Sequence, residues 1–148
     1  MKERTLVAVS IALLFVAANL LAEDQKKEIS VEEAVKYFCA TWINPAYYED
    51  EYRTGIKIMN KDGTWEFYKN ETSKSPMYGG TFIIEKGWID NERNVWLHVI
   101  LDEGEIFPKK YCLVKIGDDG NTLELVYDHT GYPTVDPETW PYFIMYKK

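Results

Sequence analysis

The chain has 148 residues and a formal net charge of −7. This length is typical of one domain that buries its own core. The negative charge argues against nucleic acid phosphates and anionic lipid headgroups as partners, since both would be repelled.

The N-terminal segment has the pattern of a secretory signal peptide. A basic start is followed by an almost unbroken apolar run over residues 5–22, which ends on small residues. We expect cleavage after Ala22, so that residues 1–22 are the signal peptide and residues 23–148 form one exported domain, periplasmic or secreted. Retention as a membrane anchor is the alternative, because the run is about as long as the shortest bilayer span. After cleavage no stable membrane span is expected.

A short helix is predicted near the start of the exported domain. Residues 30–33, Ser-Val-Glu-Glu, match a capping box, in which the Ser and Glu side chains satisfy unpaired backbone donors. The apolar stripe at helical spacing consists of Val31, Ala34, Val35 and Phe38. We expect the helix to end near Phe38 and to pack on a sheet or close one end of it. The charged residues 23–28 before it are predicted to be mobile.

The remainder of the chain has the alternation and turn signals of short β-strands. The predicted strands cover residues 39–43, 53–59, 64–69, 78–90, 95–101, 109–116, 122–127 and 142–146. About eight strands joined mostly by short turns, after one helix, predict an all-β fold that forms an antiparallel up-and-down barrel. Closing the meander removes the exposed edges of the sheet.

Alternation also assigns side chains to the two faces of each strand. In the segment 53–59 we assign Ile56 and Ile58 inward and Lys57 outward. The candidate residues for contacting a ligand inside the barrel are Trp65, Phe67, Phe82, Ile84, Leu97, Leu125 and Tyr127. Ordinary core filling is the alternative for this set, because small barrels fill their interiors with large side chains.

Over residues 38–146 the chain resembles the small exported lipocalin-like barrels of the calycin type. The resemblance rests on Thr41-Trp42 after the short helix, on Asp62-Gly63-Thr64-Trp65 at the start of a strand, and on residues 80–84 and 120–125. It departs from the family at Ala40-Thr41-Trp42, which stands where the family has Gly-x-Trp. The resemblance implies a barrel and a possible apolar ligand inside it, without indicating which ligand. Together with the signal peptide and the lack of a catalytic motif, it leads us to expect an exported, non-enzymatic protein that binds a small apolar ligand and has no cofactor.

A second functional class is suggested by aromatic residues in predicted loops. They are Tyr47, Tyr48, Tyr52, Tyr132 and Trp140, in the loops 46–52 and 128–141. Aromatic side chains are enriched at protein interfaces. The alternative function is therefore a protein-interaction module, such as an envelope inhibitor or a surface adhesin. The same side chains would otherwise cover the open end of the barrel.

The two cysteines, Cys39 and Cys112, are predicted to pair in an oxidising compartment. A bond between them would tie the first strand to a late one. The alternative is two separate buried thiols, because both stand in apolar surroundings and free Cys is a common core residue.

No motif in the sequence indicates catalysis or a metal. His98 and His129 are far apart, without neighbours at metal-ligand spacing, and are interpreted as structural. The acidic segments 102–105 and 118–121 do not match a calcium loop and are interpreted as hairpin turns. A pair of carboxylates at the barrel mouth is the remaining enzymatic alternative.

Overall fold

The structure is a computed structural model that describes residues 26–44, 55–135, 140–141 and 143–148. Within these ranges it has one helix, α1 (Val31–Phe38), and nine strands. The strands are β1 (Lys27–Ile29), β2 (Thr41–Asn44), β3 (Gly55–Met59), β4 (Thr64–Tyr68), β5 (Tyr78–Ile89), β6 (Val95–Asp102), β7 (Lys110–Ile116), β8 (Thr122–Asp128) and β9 (Phe143–Lys147). The predicted signal peptide and the predicted loop 46–52 lie outside the described residues.

Strands β2 to β9 form a closed barrel of eight antiparallel strands. Each strand pairs with the next along the chain, and the last pairs with the first. This closing pair places Trp42 opposite Lys147 and Ile43 opposite Tyr146. The predicted all-β, up-and-down barrel with one short helix is thus confirmed. The predicted strand bounds differ from the observed ones mainly by a residue or two at the ends.

Residues 27–29 are a strand and not a mobile segment, which corrects the prediction for that stretch. β1 pairs antiparallel with the end of β5, where Ile29 lies opposite Gly87. A Cβ on Gly87 would meet Ile29 Cγ1 at 2.9 Å and Leu97 Cδ2 at 3.0 Å. The missing side chain therefore makes room for Ile29, and the charged sequence before α1 concealed this contact.

One end of the barrel, formed by α1 and the turn at residues 60–63, is closed; we call it the helix end. Ser30 caps α1 by accepting a hydrogen bond from the Glu33 backbone N–H at 3.1 Å. Ala34 and Phe38 are buried in the same core cluster as the barrel interior. The Phe38 and Phe82 rings meet edge to face at 5.2 Å. α1 therefore closes this end, as the sequence indicated.

Strand β3 faces the opposite way from the sequence-based assignment. Lys57 lies opposite Trp42 in β2 and Phe67 in β4, both of which are buried inside the barrel. Directly opposed residues of an antiparallel pair share a face, so Lys57 points inward and Ile56 and Ile58 point outward. The neighbouring aromatic side chains fix this register, since a slip by one residue would expose them.

Candidate functional site

The barrel interior is mostly filled by side chains. The predicted ligand-contacting residues Trp65, Phe67, Phe82, Ile84, Leu97 and Leu125 belong to one buried core cluster, and Tyr127 packs against it. The structure thus brings all seven together. Of these seven, Phe67, Leu125 and Tyr127 also line a cavity inside the barrel, described next. For the other four the contacts shown are those of core packing, and a role in ligand binding stays a prediction.

The cavity lies at the end of the barrel opposite α1, where β2 stops at Asn44 and β3 starts at Gly55. We call this end the mouth. The cavity has a volume of about 90 Å³. Its lining comprises Asn44, Lys57, Phe67, Tyr78, Leu101, Glu103, Lys110, Cys112, Leu125, Tyr127, Phe143 and Met145. Apolar and aromatic side chains thus surround a small number of polar groups, which is the composition typical of ligand sites.

Two lysines and one glutamate bring charge into this cavity. Lys110 Nζ lies 2.5 Å from Glu103 Oε1, and most of both side chains is buried. Lys57 Nζ lies 4.5 Å from the centroid of the Trp65 ring. Among the salt bridges of the described residues none includes Lys57. Glu103 therefore neutralises Lys110, and Lys57 is left without a carboxylate partner in the described part of the chain.

Burial decides how Lys57 titrates. Desolvation lowers the pKa of Lys57 to about 8; the nearby Lys110 also lowers it, while Cys112 and Glu103 act in the opposite direction. Burial raises the pKa of the Cys112 thiol to about 12, so this thiol is neutral at ordinary pH. Below about pH 8 the mouth thus carries one positive charge that no described carboxylate balances.

Trp65, beside Lys57, supplies a second polar group without a partner. Its side chain is 1% exposed, and its indole N–H is the buried side-chain donor for which the described residues offer no acceptor. The Trp65 ring meets the Tyr78 ring edge to face at 5.8 Å. Buried polar groups are ordinarily hydrogen-bonded, and an exception calls for an explanation.

The predicted disulfide is not formed, and both cysteines are free. Cys39 caps the end of α1, and its thiol donates to the Asn60 carbonyl oxygen at 3.4 Å. Cys112 stands in the middle of β7, fully buried against the mouth cavity. The prediction was wrong because the barrel closes through β2 and β9, whereas Cys39 precedes β2 and Cys112 lies on β7. The alternative of two separate thiols is the correct one.

A larger concavity of about 580 Å³ lies on the outer surface of β5, β6 and β7; we call it the outer groove. It is lined by Lys26, Glu28, Lys86, Trp88, Asp90, Trp96, His98, Leu113, Pro133, Thr134 and Val135. The Trp88 and Trp96 rings are nearly parallel at 6.3 Å. Asp90 Oδ2 accepts a hydrogen bond from the Trp96 indole at 2.7 Å, which fixes that ring.

The loop aromatics of the described residues pack on the outside of the barrel. Tyr132 stacks on His98 at 4.0 Å and donates its hydroxyl hydrogen to Glu85 Oε2 at 2.7 Å. Trp140 donates to Glu124 Oε2 at 2.9 Å. Burial and the nearby Lys86 lower the pKa of His98. Tyr132 and Trp140 therefore shape the outer face and do not cover the mouth, while Tyr47, Tyr48 and Tyr52 lie outside the described residues.

Across the described ranges no group of three or more His, Cys, Asp or Glu side chains is arranged to hold a metal ion. In the same part of the chain no helix is long and apolar enough to cross a membrane. Comparisons with protein-family models, with curated proteins and with solved structures found no match. The mouth and the outer groove are therefore the features from which a function can be inferred.

Proposed function

We propose that this protein is an exported, non-enzymatic, lipocalin-like binding protein that holds a small ligand with an apolar body at the mouth of its barrel. The observation that carries the proposal is the mouth cavity, a space of about 90 Å³ beside an interior that is mostly filled by side chains. Export is supported by the N-terminal sequence pattern alone.

The size of the cavity limits the ligand. About 90 Å³ is more than the ~30 Å³ that one water occupies in the liquid and less than the ~150 Å³ apolar cavity that takes up benzene. The ligand is therefore a molecule smaller than benzene, or one end of a longer molecule that extends out of the mouth. A second interior void of about 10 Å³, under Phe38 and Trp42, is too small to add to this site.

Methionine methyl groups provide a direct test of ligand uptake. Met145 lines the cavity and is buried, whereas Met77 is half exposed outside it. We expect 1-propanol, propionamide or propionate to shift the ¹³C-methyl NMR signal of Met145 in a saturable manner and to leave that of Met77 in place.

A matched pair of substitutions locates the binding. Leu101→Phe adds volume inside the cavity, and Leu113→Phe adds the same volume at a buried leucine of the outer groove. Binding should be lost in the first variant and retained in the second. A Met145 signal that stays unchanged with all three compounds would contradict the proposal.

The outer groove favours a second candidate function, the binding of a protein partner. Trp88, Trp96 and His98 present fixed aromatic surface between charged rims, as hot spots of protein interfaces do. The test is co-purification from the native envelope with a matched pair of variants. A stoichiometric partner that is lost with Trp88→Ala and kept with Leu101→Phe would support this function. Recovery of the same partner with Trp88→Ala would contradict it.

A further inference from the structure

The mouth contains a positive charge for which the described residues supply no counter-charge. Lys57 sits among aromatic and apolar side chains, and its ammonium group contacts the face of Trp65. A cation–π contact offsets only part of the cost of taking an ammonium out of water. Buried charges in proteins are ordinarily paired. Lys57 therefore departs from what a purely structural interior would contain.

We propose that the ligand of the mouth cavity carries a carboxylate, which pairs with the Lys57 ammonium while its apolar body lies against Leu101, Leu125 and Met145. This inference rests on the proposed function and narrows it to a chemical class, the small aliphatic monocarboxylates.

The charge balance selects a single negative charge. Among the described residues that line the cavity, Lys57 and Lys110 contribute two positive charges and Glu103 one negative charge, so a monoanion brings this described set to neutrality. A dianion such as hydrogen phosphate would leave an excess negative charge and would place a strongly hydrated group against apolar walls. A neutral ligand would leave the Lys57 charge unpaired.

The other titratable groups that face Lys57 do not replace this partner. Glu103 is held by Lys110, across the cavity from β3. The Cys112 thiol is neutral because burial raises its pKa. Tyr78 is neutral too, because burial and the nearby Glu103 raise its pKa. Tyr127 faces Lys110, whose Nζ lies 5.3 Å from the centroid of the Tyr127 ring. In β2 and β4, the residues opposite Lys57 are the uncharged Trp42 and Phe67.

The test compares two ligands of the same shape on two variants with matched lysines. Propionate and propionamide differ in charge and little in size. Lys57→Met removes the inner ammonium and keeps its apolar stem. Lys115→Met does the same to an outer lysine that also lies over an indole ring, that of Trp96 at 5.8 Å. Binding is measured from the Met145 methyl signal, and folding of each variant is checked by the Met59 and Met77 signals.

We expect propionate to bind the native chain about tenfold more tightly than propionamide, since a desolvated charge pair commonly contributes that much or more. Lys57→Met should abolish this preference and still bind propionamide, and Lys115→Met should keep it. Equal binding of the two ligands by the native chain would overturn the carboxylate inference and leave the proposed function standing. Phosphate that competes as well as propionate would also overturn the carboxylate inference. If none of the ligands binds, both the carboxylate inference and the proposed function are overturned.

The pH dependence of binding keeps the inference falsifiable even if Lys57→Met does not fold. Deprotonation of Lys57 removes the proposed partner, so propionate affinity should fall as the pH passes the pKa of Lys57 and level off after a total loss of about tenfold, the contribution assigned to the charge pair. Propionamide affinity should stay constant across the same range. A propionate affinity that stays flat across the pH range in which Lys57 itself deprotonates would overturn the inference on the native chain alone.

Discussion

The two ends of the barrel differ in how they treat polar groups. At the helix end Ala34, Phe38 and Trp42 are buried, and the Trp42 indole N–H donates to the Phe38 carbonyl oxygen at 2.9 Å. At the mouth Lys57 has no described carboxylate partner, and the indole N–H of Trp65, whose ring the Lys57 ammonium contacts, has no described acceptor. At the helix end the buried indole donor is thus hydrogen-bonded, as is usual in a protein core. The mouth, in contrast, leaves polar groups without described partners. Such departures from the ordinary rules of protein interiors are expected at functional sites.

The largest expected effect is at the helix end. Phe38→Ala should lower the free energy of unfolding by about 3–5 kcal/mol, because it removes a buried ring that packs against Phe82 and leaves a cavity. Urea unfolding followed by tryptophan fluorescence measures this loss. Val31→Ala, at an exposed position of the same helix, is the control and should change little. A loss below about 1 kcal/mol for Phe38→Ala would show that α1 does not close the barrel.

At the mouth a substitution should stabilise the protein. Lys57→Met replaces a desolvated ammonium with an apolar chain of similar length, and without ligand it should raise the free energy of unfolding at pH 7. The lowering of the pKa of Lys57 from 10.5 to about 8 sets an upper limit of about 3 kcal/mol. The gain should be smaller, because Lys57 is only partly buried. Lys115→Met on the outer face should bring no such gain, and a destabilised Lys57→Met would contradict the comparison.

The same residue should make stability depend on pH. Between about pH 8 and pH 10.5 the Lys57 amine is deprotonated in the folded chain and still protonated in the unfolded chain. The unfolded state then binds more protons, so the free energy of unfolding should rise with pH in this window. The difference between the native chain and Lys57→Met isolates this contribution from those of other lysines. It should shrink as the pH rises through the window, and a constant difference would contradict the account.

A smaller effect distinguishes the two buried indoles. Trp42→Phe removes a hydrogen-bonded donor and leaves the Phe38 carbonyl oxygen without that bond. Trp65→Phe removes a donor that has no acceptor among the described residues. We expect Trp42→Phe to cost about 1 kcal/mol more than Trp65→Phe in urea unfolding. Equal costs would mean that the Trp65 N–H is satisfied in solution.

The smallest expected effect concerns the cysteines. Since Cys39 and Cys112 are free, a reducing agent should leave the Tm unchanged. Without reduction, Cys39 should be alkylated before Cys112, because Cys39 is partly exposed and Cys112 is fully buried with a raised pKa. Mass spectrometry of the alkylated protein measures both. A Tm that falls on reduction would show a disulfide that this structure lacks.

The sequence predicted the architecture because its signals are local. Alternation, turn residues and the capping box at Ser30 each act within a few positions, and neighbouring strands along the chain pair with one another. The strand β1 was missed because its partner, Gly87, lies far along the chain. The disulfide prediction was wrong because the spacing of two cysteines along the chain carries no information on the distance between them in the fold.

The mouth was only partly predictable, since it depends on the face assigned to β3. Hydrophobicity alone assigns Ile56 and Ile58 inward and Lys57 outward, which is the reverse of the observed arrangement. The turn after Met59 contained a better signal. It places Met59 opposite Trp65 and Lys57 opposite Phe67, so the inward assignment of the two aromatics required Lys57 to point inward as well. The cross-strand pairing of Lys57 with Phe67 therefore predicts the face of β3 better than the hydrophobicity of the single residues does.

Titration of Lys57 itself is the decisive measurement for this inward lysine, which has no counter-charge among the described residues. The ¹³Cε NMR signal of Lys57, assigned by its loss in Lys57→Met, reports the pKa with and without saturating propionate. We expect a pKa of about 8 in the free protein and a higher value when propionate is bound, because a paired carboxylate favours the charged amine. A pKa near the ordinary lysine value of about 10.4, unchanged by propionate, would contradict it.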